Sequence, residues 1–267
     1  MGRVDSFADL GCLVTGASAG IGRELARLLA DEGARLAVTA RREDRLVELC
    51  DELRNRGAKE AHALAADLGA PDGVDRVIEG AEAALGHVDV LVNNAGFGLA
   101  GPFVRSSEER TDAMIAVNVT AATKLLRRLL PGMLKRDRGG VLNVASVAAF
   151  QAAPYQAAYA GTKSYLLNLS ESVYQEVKHT NVAMTALCPG VTDTEFFDVA
   201  GYKNLGKYLN RRMSAEKVAR VGLHALRRGK PTVLPGFANR ALLFTERLTP
   251  RRLIGEVSRR LMAGRKR

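Results

Sequence analysis

Short apolar runs alternate along the whole chain with stretches whose apolar residues recur at helical spacing, and this alternation limits the fold more than any other feature. Gly11 to Thr15 (GCLVT), Arg35 to Ala40, Glu60 to Ala66, Val88 to Val92, Gly140 to Ala145, Val182 to Leu187 and Thr232 to Leu234 read as strands. Between them, Ile21 to Leu29, Glu43 to Arg56, Pro71 to Leu85, a helix capped by Ser106 or Ser107, Gln156 to Lys178 and a helix from Ser214 to Arg227 read as helices. Strands joined by helices of this length must run parallel, and a parallel sheet needs both faces covered. The expected fold is α/β: one doubly wound, Rossmann-type parallel sheet of about seven strands with helices on both faces. No linker or internal repeat divides it. The catalytic domain is expected over residues 1–236, with a basic amphipathic helical extension over 237–267.

Composition excludes several other classes. A chain of 267 residues with 47% apolar and 25% charged residues is long enough for one large core and ordinary for a globular protein. No apolar run approaches the roughly 18 to 20 residues that cross a bilayer, and Met1 to Leu10 lacks the pattern of a secretory signal. Cys12, Cys50 and Cys188 have no paired spacing and read as reduced thiols in a cytoplasmic protein. The four histidines are scattered, so no metal site is expected. The net charge of +10 is concentrated at the end, where nine basic residues face two acidic ones from Arg240 onward.

Thr15 to Gly22 reads TGASAGIG and lies directly between a strand and a helix. Gly16, Gly20 and Gly22 permit a tight turn, and with Ser18 and Ile21 they let a pyrophosphate approach backbone N–H groups at the positive end of the helix. Dinucleotide sites usually carry an acidic residue about twenty positions on to hold the ribose hydroxyls. Here the second strand ends Thr39-Ala40-Arg41-Arg42, with no carboxylate at its tip. A guanidinium grips a 2′-phosphate that an aspartate would repel, so NADP(H) is the expected cofactor. Arg41 and Arg42 can also be read as a solvated helix entrance. Asp67, just past the third strand, is placed to accept from the adenine amino group.

TGASAGIG, Asn93-Asn94-Ala95-Gly96, Asn118, Ser146, Tyr159-x-x-x-Lys163 and Pro189-Gly190 follow one another over roughly Leu10 to Thr194. In kind and order they resemble the short-chain dehydrogenase/reductase family. The chemistry can be argued from the side chains: an alkoxide formed by hydride transfer needs a proton, and a phenol whose pKa is lowered can supply it. Lys163 shares a helix face with Tyr159, and its ammonium is expected to favour the phenolate. Ser146 can hydrogen-bond the substrate oxygen. Tyr174 and Lys178 repeat the Y-x-x-x-K spacing, but Gly161 stands where Tyr159 has Ser146, thirteen residues earlier; this second pair reads as an exposed helix pair.

The resemblance implies further roles. Lys163 holds the nicotinamide ribose, Asn118 positions a water in the proton relay, and Asn94, Ala95 and Gly96 line the adenosine side. Pro189, Gly190, Val191 and Thr192 meet the nicotinamide, and Thr194 faces the cofactor phosphates. Many NADPH-preferring relatives carry a basic residue where Ala19 stands, so 2′-phosphate recognition rests on Ser18, Arg41 and Arg42. The resemblance also implies a homodimer or homotetramer, and a substrate-covering segment over residues 195–212. That segment contains Phe196, Phe197, Val199, Tyr202, Leu205, Tyr208 and Leu209.

An apolar cover suits reduction of a hydrophobic ketone or aldehyde, including 3-oxoacyl thioesters. Oxidation of a steroid-like secondary alcohol and a non-catalytic NADP(H) sensor are the alternatives, and the four-residue catalytic set argues against the sensor. The extension admits two readings. Its stripe of Leu253, Ile254, Val257, Leu261 and Met262 lies on an anionic membrane as a peripheral contact, or packs on protein with its arginines in water. Nucleic acid is not expected, because no stacking aromatics accompany the charge.

Overall fold

A computed structural model describes residues 2–201 and 212–263. Its core is a parallel seven-stranded sheet built from β1 (Gly11–Thr15), β2 (Arg35–Ala40), β3 (Glu60–Ala65), β4 (Val90–Asn93), β5 (Gly139–Val144), β6 (Val182–Leu187) and β9 (Thr232–Val233). The spatial order is β3-β2-β1-β4-β5-β6-β9. The strand order therefore reverses between β1 and β4, whose carboxyl ends diverge and open the crevice in which such sheets hold ligands. A separate two-residue pair, β7 (Thr192–Asp193) with β8 (Met213–Ser214), follows β6.

Helices α1 (Gly20–Ala30), α2 (Glu43–Arg56) and α8 (Ala215–Arg227) contribute to one apolar core cluster with residues of β1, β2 and β4. Helices α3 (Gly73–Leu85), α5 (Ala122–Arg136) and α6 (Ala157–Val177) contribute to a second. In α1, Leu25 and Leu29 are fully buried, each contributing about 1.5–3 kcal/mol by its removal from water. Gly57 ends α2 in the left-handed conformation, where the missing side chain avoids strain.

The expected strands and helices are all present, with ends shifted by one or two residues. β4 starts at Val90 and not Val88; Asp89 just before it is buried, and its carboxylate accepts from the Gly11 N–H at 3.1 Å. The helix expected after Ser106 or Ser107 is capped by Ser107, whose side chain accepts from the Arg110 N–H. It does not continue smoothly. α4 (Glu108–Ile115) passes through a π-helical segment, Ala116–Ala121, before α5 begins. Tyr174 is buried against the second cluster, not exposed, because its helix face turns toward the sheet.

A short helix α7 (Phe196–Val199) heads the expected substrate-covering segment; its residues Tyr202, Leu205, Tyr208 and Leu209 lie outside the described residues. In the extension, α9 (Phe237–Leu248) and α10 (Arg251–Ala263) are helical. Asn239 of α9 packs against Gly190, where an added Cβ would sit 2.5 Å from its Nδ2. The side chains of Leu261 and Met262 and the last residues, 264–267, are likewise outside the described set. Among the described residues, no helix is long and apolar enough to cross a membrane.

Candidate active site

The glycine turn is fixed by a few buried bonds. Thr15 Oγ1 donates to the Val92 carbonyl and accepts from the N–H groups of Asn94 at 3.0 Å and Ala95 at 2.9 Å. The Asn94 amide in turn donates to the carbonyls of Thr15 at 2.9 Å and Gly16 at 3.1 Å. Gly16 and Gly20 have positive φ, 65° and 57°, a conformation glycine adopts without cost. A Cβ on Gly22 would lie 2.4 Å from the Gly16 carbonyl oxygen. No side chain caps α1, and its first turn carries no acidic residue, which leaves an N-terminus with the polarity an anion requires.

At the far end of the turn, Arg42 donates to Ser18 Oγ at 3.2 Å and pairs with Glu195 at 3.0 Å. Arg45, one helical turn on, pairs with the same Glu195 at 2.7 Å. Arg41 is exposed and makes no ion pair or hydrogen bond with another described residue. Asp67 closes its own turn by accepting from the Gly69 N–H at 2.8 Å.

The other end of the cleft holds the titratable groups. Ser146 follows β5 and accepts from the Ala148 N–H at 3.1 Å. Tyr159 and Lys163, both on α6, are buried, and the Lys163 ammonium lies 6.0 Å from the Tyr159 ring centroid. Lys163 Nζ donates to the Val144 carbonyl at 2.7 Å.

The expected lowering of the tyrosine pKa is not found here. Burial pushes the Tyr159 phenol up to about 12, with the Ser146 hydroxyl pulling the other way. Burial also brings Lys163 down to about 8. Desolvation penalises both charged forms, and the ammonium is directed at a backbone carbonyl.

Ser146, Tyr159 and Lys163 line one cavity of about 650 Å³ together with residues of the glycine turn and the end of β2. It is bounded by Gly16, Ser18, Gly20, Ile21, Arg41, Arg42, Asp67, Asn94, Ala95 and Gly96 on the turn side. Ser146, Tyr159, Lys163, Pro189, Gly190, Val191, Thr192 and Thr194 bound it on the other.

Two expected residues do not line it. Gly22 lies behind the turn, where its lack of a side chain lets α1 approach Asn94 and Gly16. Asn118 sits in the π-helical segment, buried, and its amide bonds within the protein. It donates to the Phe97 carbonyl and to Thr162 Oγ1, both at 3.0 Å, and accepts from the Phe97 N–H at 3.1 Å. Its side chain therefore anchors the loop after Gly96, with both amide N–H donors spent within the protein.

Backbone groups after β6 are also partly used: the Pro189 carbonyl accepts from Val147 and the Val191 carbonyl from Met213. Thr194 packs against Gly20, whose added Cβ would meet Thr194 Cγ2 at 2.9 Å, while its hydroxyl accepts from the Phe196 N–H.

Phe196 lies 5.2 Å from Tyr159, ring to ring, with Phe197 edge-on to it. Both line the cavity with Val199. Tyr155, two residues before α6 and at φ 65°, accepts from the Gly101 N–H through its backbone carbonyl and does not line the cavity. Ser258 of α10 does line it, a contribution the amphipathic pattern of the extension gave no means to see. Arg45 was also missed, although the spacing Arg42-x-x-Arg45 at a helix start puts both guanidinium groups on one face.

Fold and cleft together define a doubly wound oxidoreductase of the dinucleotide type. Residues 11–203 match the family model described as short chain dehydrogenase. The chain belongs to that family. A short chain dehydrogenase of Pseudocercospora fijiensis is 40% identical over 185 residues, which is 68% of this chain and 60% of that protein. The chain thus spans less than two thirds of that relative's length. A solved short chain dehydrogenase/reductase of Burkholderia phymatum, in complex with NAD, superposes with a TM-score of 0.81 and 26% identity, covering 90% of this chain and 93% of that one. Another from Sphingobium yanoikuyae, in complex with NADPH, gives 0.79 and 29% identity, covering 89% and 93%.

Proposed function

We propose that the protein is an NADP(H)-dependent carbonyl reductase acting on a hydrophobic ketone or aldehyde, 3-oxoacyl thioesters included. The residues present fit a dinucleotide: a Cβ-free cradle at Gly16 and Gly20 meets the uncapped start of α1. Ser18 of the glycine turn and Arg41 and Arg42 after β2 suit a 2′-phosphate, and the chain carries no carboxylate at Thr39 to Arg42. Asp67, Asn94, Ala95 and Gly96 would meet the adenosine half, Pro189, Gly190, Val191 and Thr192 the nicotinamide half, and Thr194, packed against Gly20, the phosphates between them. When bound, the cofactor supplies a hydride and, in its oxidised form, a positive charge beside Tyr159.

The chain's own residues do the rest. The Ser146 hydroxyl donates to the substrate oxygen and fixes its position. Tyr159 Oη holds the proton that passes to that oxygen; burial keeps the phenol protonated at neutral pH, as a donor in the reductive direction must be. Lys163, held by the Val144 carbonyl, lies 6.0 Å from the Tyr159 ring and would bind a hydroxyl of the nicotinamide ribose. Asn118 acts by holding Phe97, which lines the cavity. Phe196, Phe197 and Val199 exclude water and favour an apolar substrate. The observation that carries the proposal is that Tyr159, Lys163 and Ser146 share one cavity with the glycine turn and an aromatic wall.

The extension completes the substrate end through Ser258, which supports the reading in which it packs on protein; Leu253 and Val257 remain exposed. A homodimer or homotetramer across α4, α5 and α6 is supported by exposed Ile115 and Tyr165 on those helices. The test of function is cofactor oxidation by the purified protein on aldehydes, ketones and 3-oxoacyl thioesters of graded length, with NADPH and NADH in parallel. Turnover is expected to rise with apolar size and to favour NADPH. Equal use of NADH, or activity confined to small polar carbonyls, would refute the respective half.

A further inference from the structure

Three separate parts of the chain converge on one point of the cavity rim. Ser18 comes from the glycine turn, Arg42 from the start of α2, and Glu195 from the start of α7. Arg45 reaches the same carboxylate from the next turn of α2. One carboxylate oxygen of Glu195 takes the Arg42 guanidinium and the other takes that of Arg45. The arginines hold the Glu195 carboxyl below its ordinary range. An anion thus already sits in the guanidinium seat.

We propose that Glu195 is a resident anion in the seat of the cofactor's 2′-phosphate, so that NADP(H) binding exchanges a carboxylate for a phosphate at Arg42 and Arg45. This rests on the NADP(H) reading above. A phosphate dianion outcompetes a single carboxylate for guanidinium groups, and Glu195 left in place would repel it at short range. Glu195 must therefore turn away, and it lies next in sequence to Phe196, whose ring packs on Tyr159. The exchange links recognition of the 2′-phosphate to the residue that heads the aromatic wall. Arg45 becomes part of that seat, and Glu195 lowers the affinity for every ligand that carries a 2′-phosphate.

All three side chains are between 41% and 48% exposed, so the ion pairs are weak and the effect is a small multiple. The experiment is calorimetric titration of 2′,5′-ADP and of 5′-AMP, in low salt, into the full-length protein and its Glu195→Gln variant. The variant is expected to bind 2′,5′-ADP about two- to fivefold more tightly and 5′-AMP unchanged, with the gain shrinking as salt is added. If the wild type favours 2′,5′-ADP and the variant binds it no better, or gains equally for both ligands, the resident-anion role is wrong while the cofactor reading stands. If the wild type binds 2′,5′-ADP no better than 5′-AMP, both fall together.

Discussion

At the scale of single residues, burial and not the Tyr159–Lys163 pairing sets the chemistry of the cleft before any ligand enters. Tyr159 is raised to about 12 and Lys163 lowered to about 8, each chiefly by desolvation. The sign of the pH dependence follows. Carbonyl reduction needs the phenol protonated, and a raised pKa keeps it so through neutral pH. Alcohol oxidation needs the phenolate, which is gained only as pH rises. Oxidation is therefore expected to climb steadily from pH 7 to 10 under saturating cofactor, while reduction stays level across the same range. Pre-steady-state rates in the two directions check this; profiles that run parallel would show that Tyr159 does not carry the proton.

The motif residues were legible one by one because each chemistry needs a particular side chain at a particular spacing. The direction of the Tyr159 shift was not legible, since spacing along a helix reports proximity and says nothing of desolvation. The pairing of Glu195 with Arg42 was equally hidden, because the two stand 153 positions apart.

At the scale of elements, the turn between β1 and α1 is a packed joint as much as a ligand cradle. Thr15, Asn94 and Gly22 close it, and only the first two contribute side chains. Gly22→Ala would place a methyl 2.3 Å from Asn94 Nδ2 and 2.4 Å from a backbone oxygen. A destabilisation of about 1–3 kcal/mol is expected from such overpacking, together with weakened NADPH binding, read by thermal melting and by fluorescence titration. An unchanged melting temperature would contradict the packing role.

The strand–helix alternation gave the element order because apolar periodicity survives small errors at the ends. It did not give the π-helical segment at Ala116–Ala121. There Asn118 bonds the loop at Phe97 and Thr162 on α6, and these are tertiary contacts with no local sequence signature. π-helical turns often mark functional positions, and this one ties the loop at Phe97, which lines the cavity, to α6.

At the scale of the molecule, the sheet brings distant segments to one rim. The glycine turn, the end of β2, the start of α6 and the segment after β6 meet around a single cavity, and α10 closes on it through Ser258. That closure was not legible, because an amphipathic helix shows which face it buries and not what it buries it against. The dependence of the whole arrangement on Tyr159 is tested most directly with Tyr159→Phe, measured for NADPH affinity by fluorescence titration and for single-turnover NADPH oxidation with the best substrate. The variant is expected to bind NADPH as the wild type does and to lose about 10²- to 10⁴-fold in rate. A variant that binds NADPH equally well and still turns over at the wild-type rate would contradict the assignment of Tyr159 as proton donor.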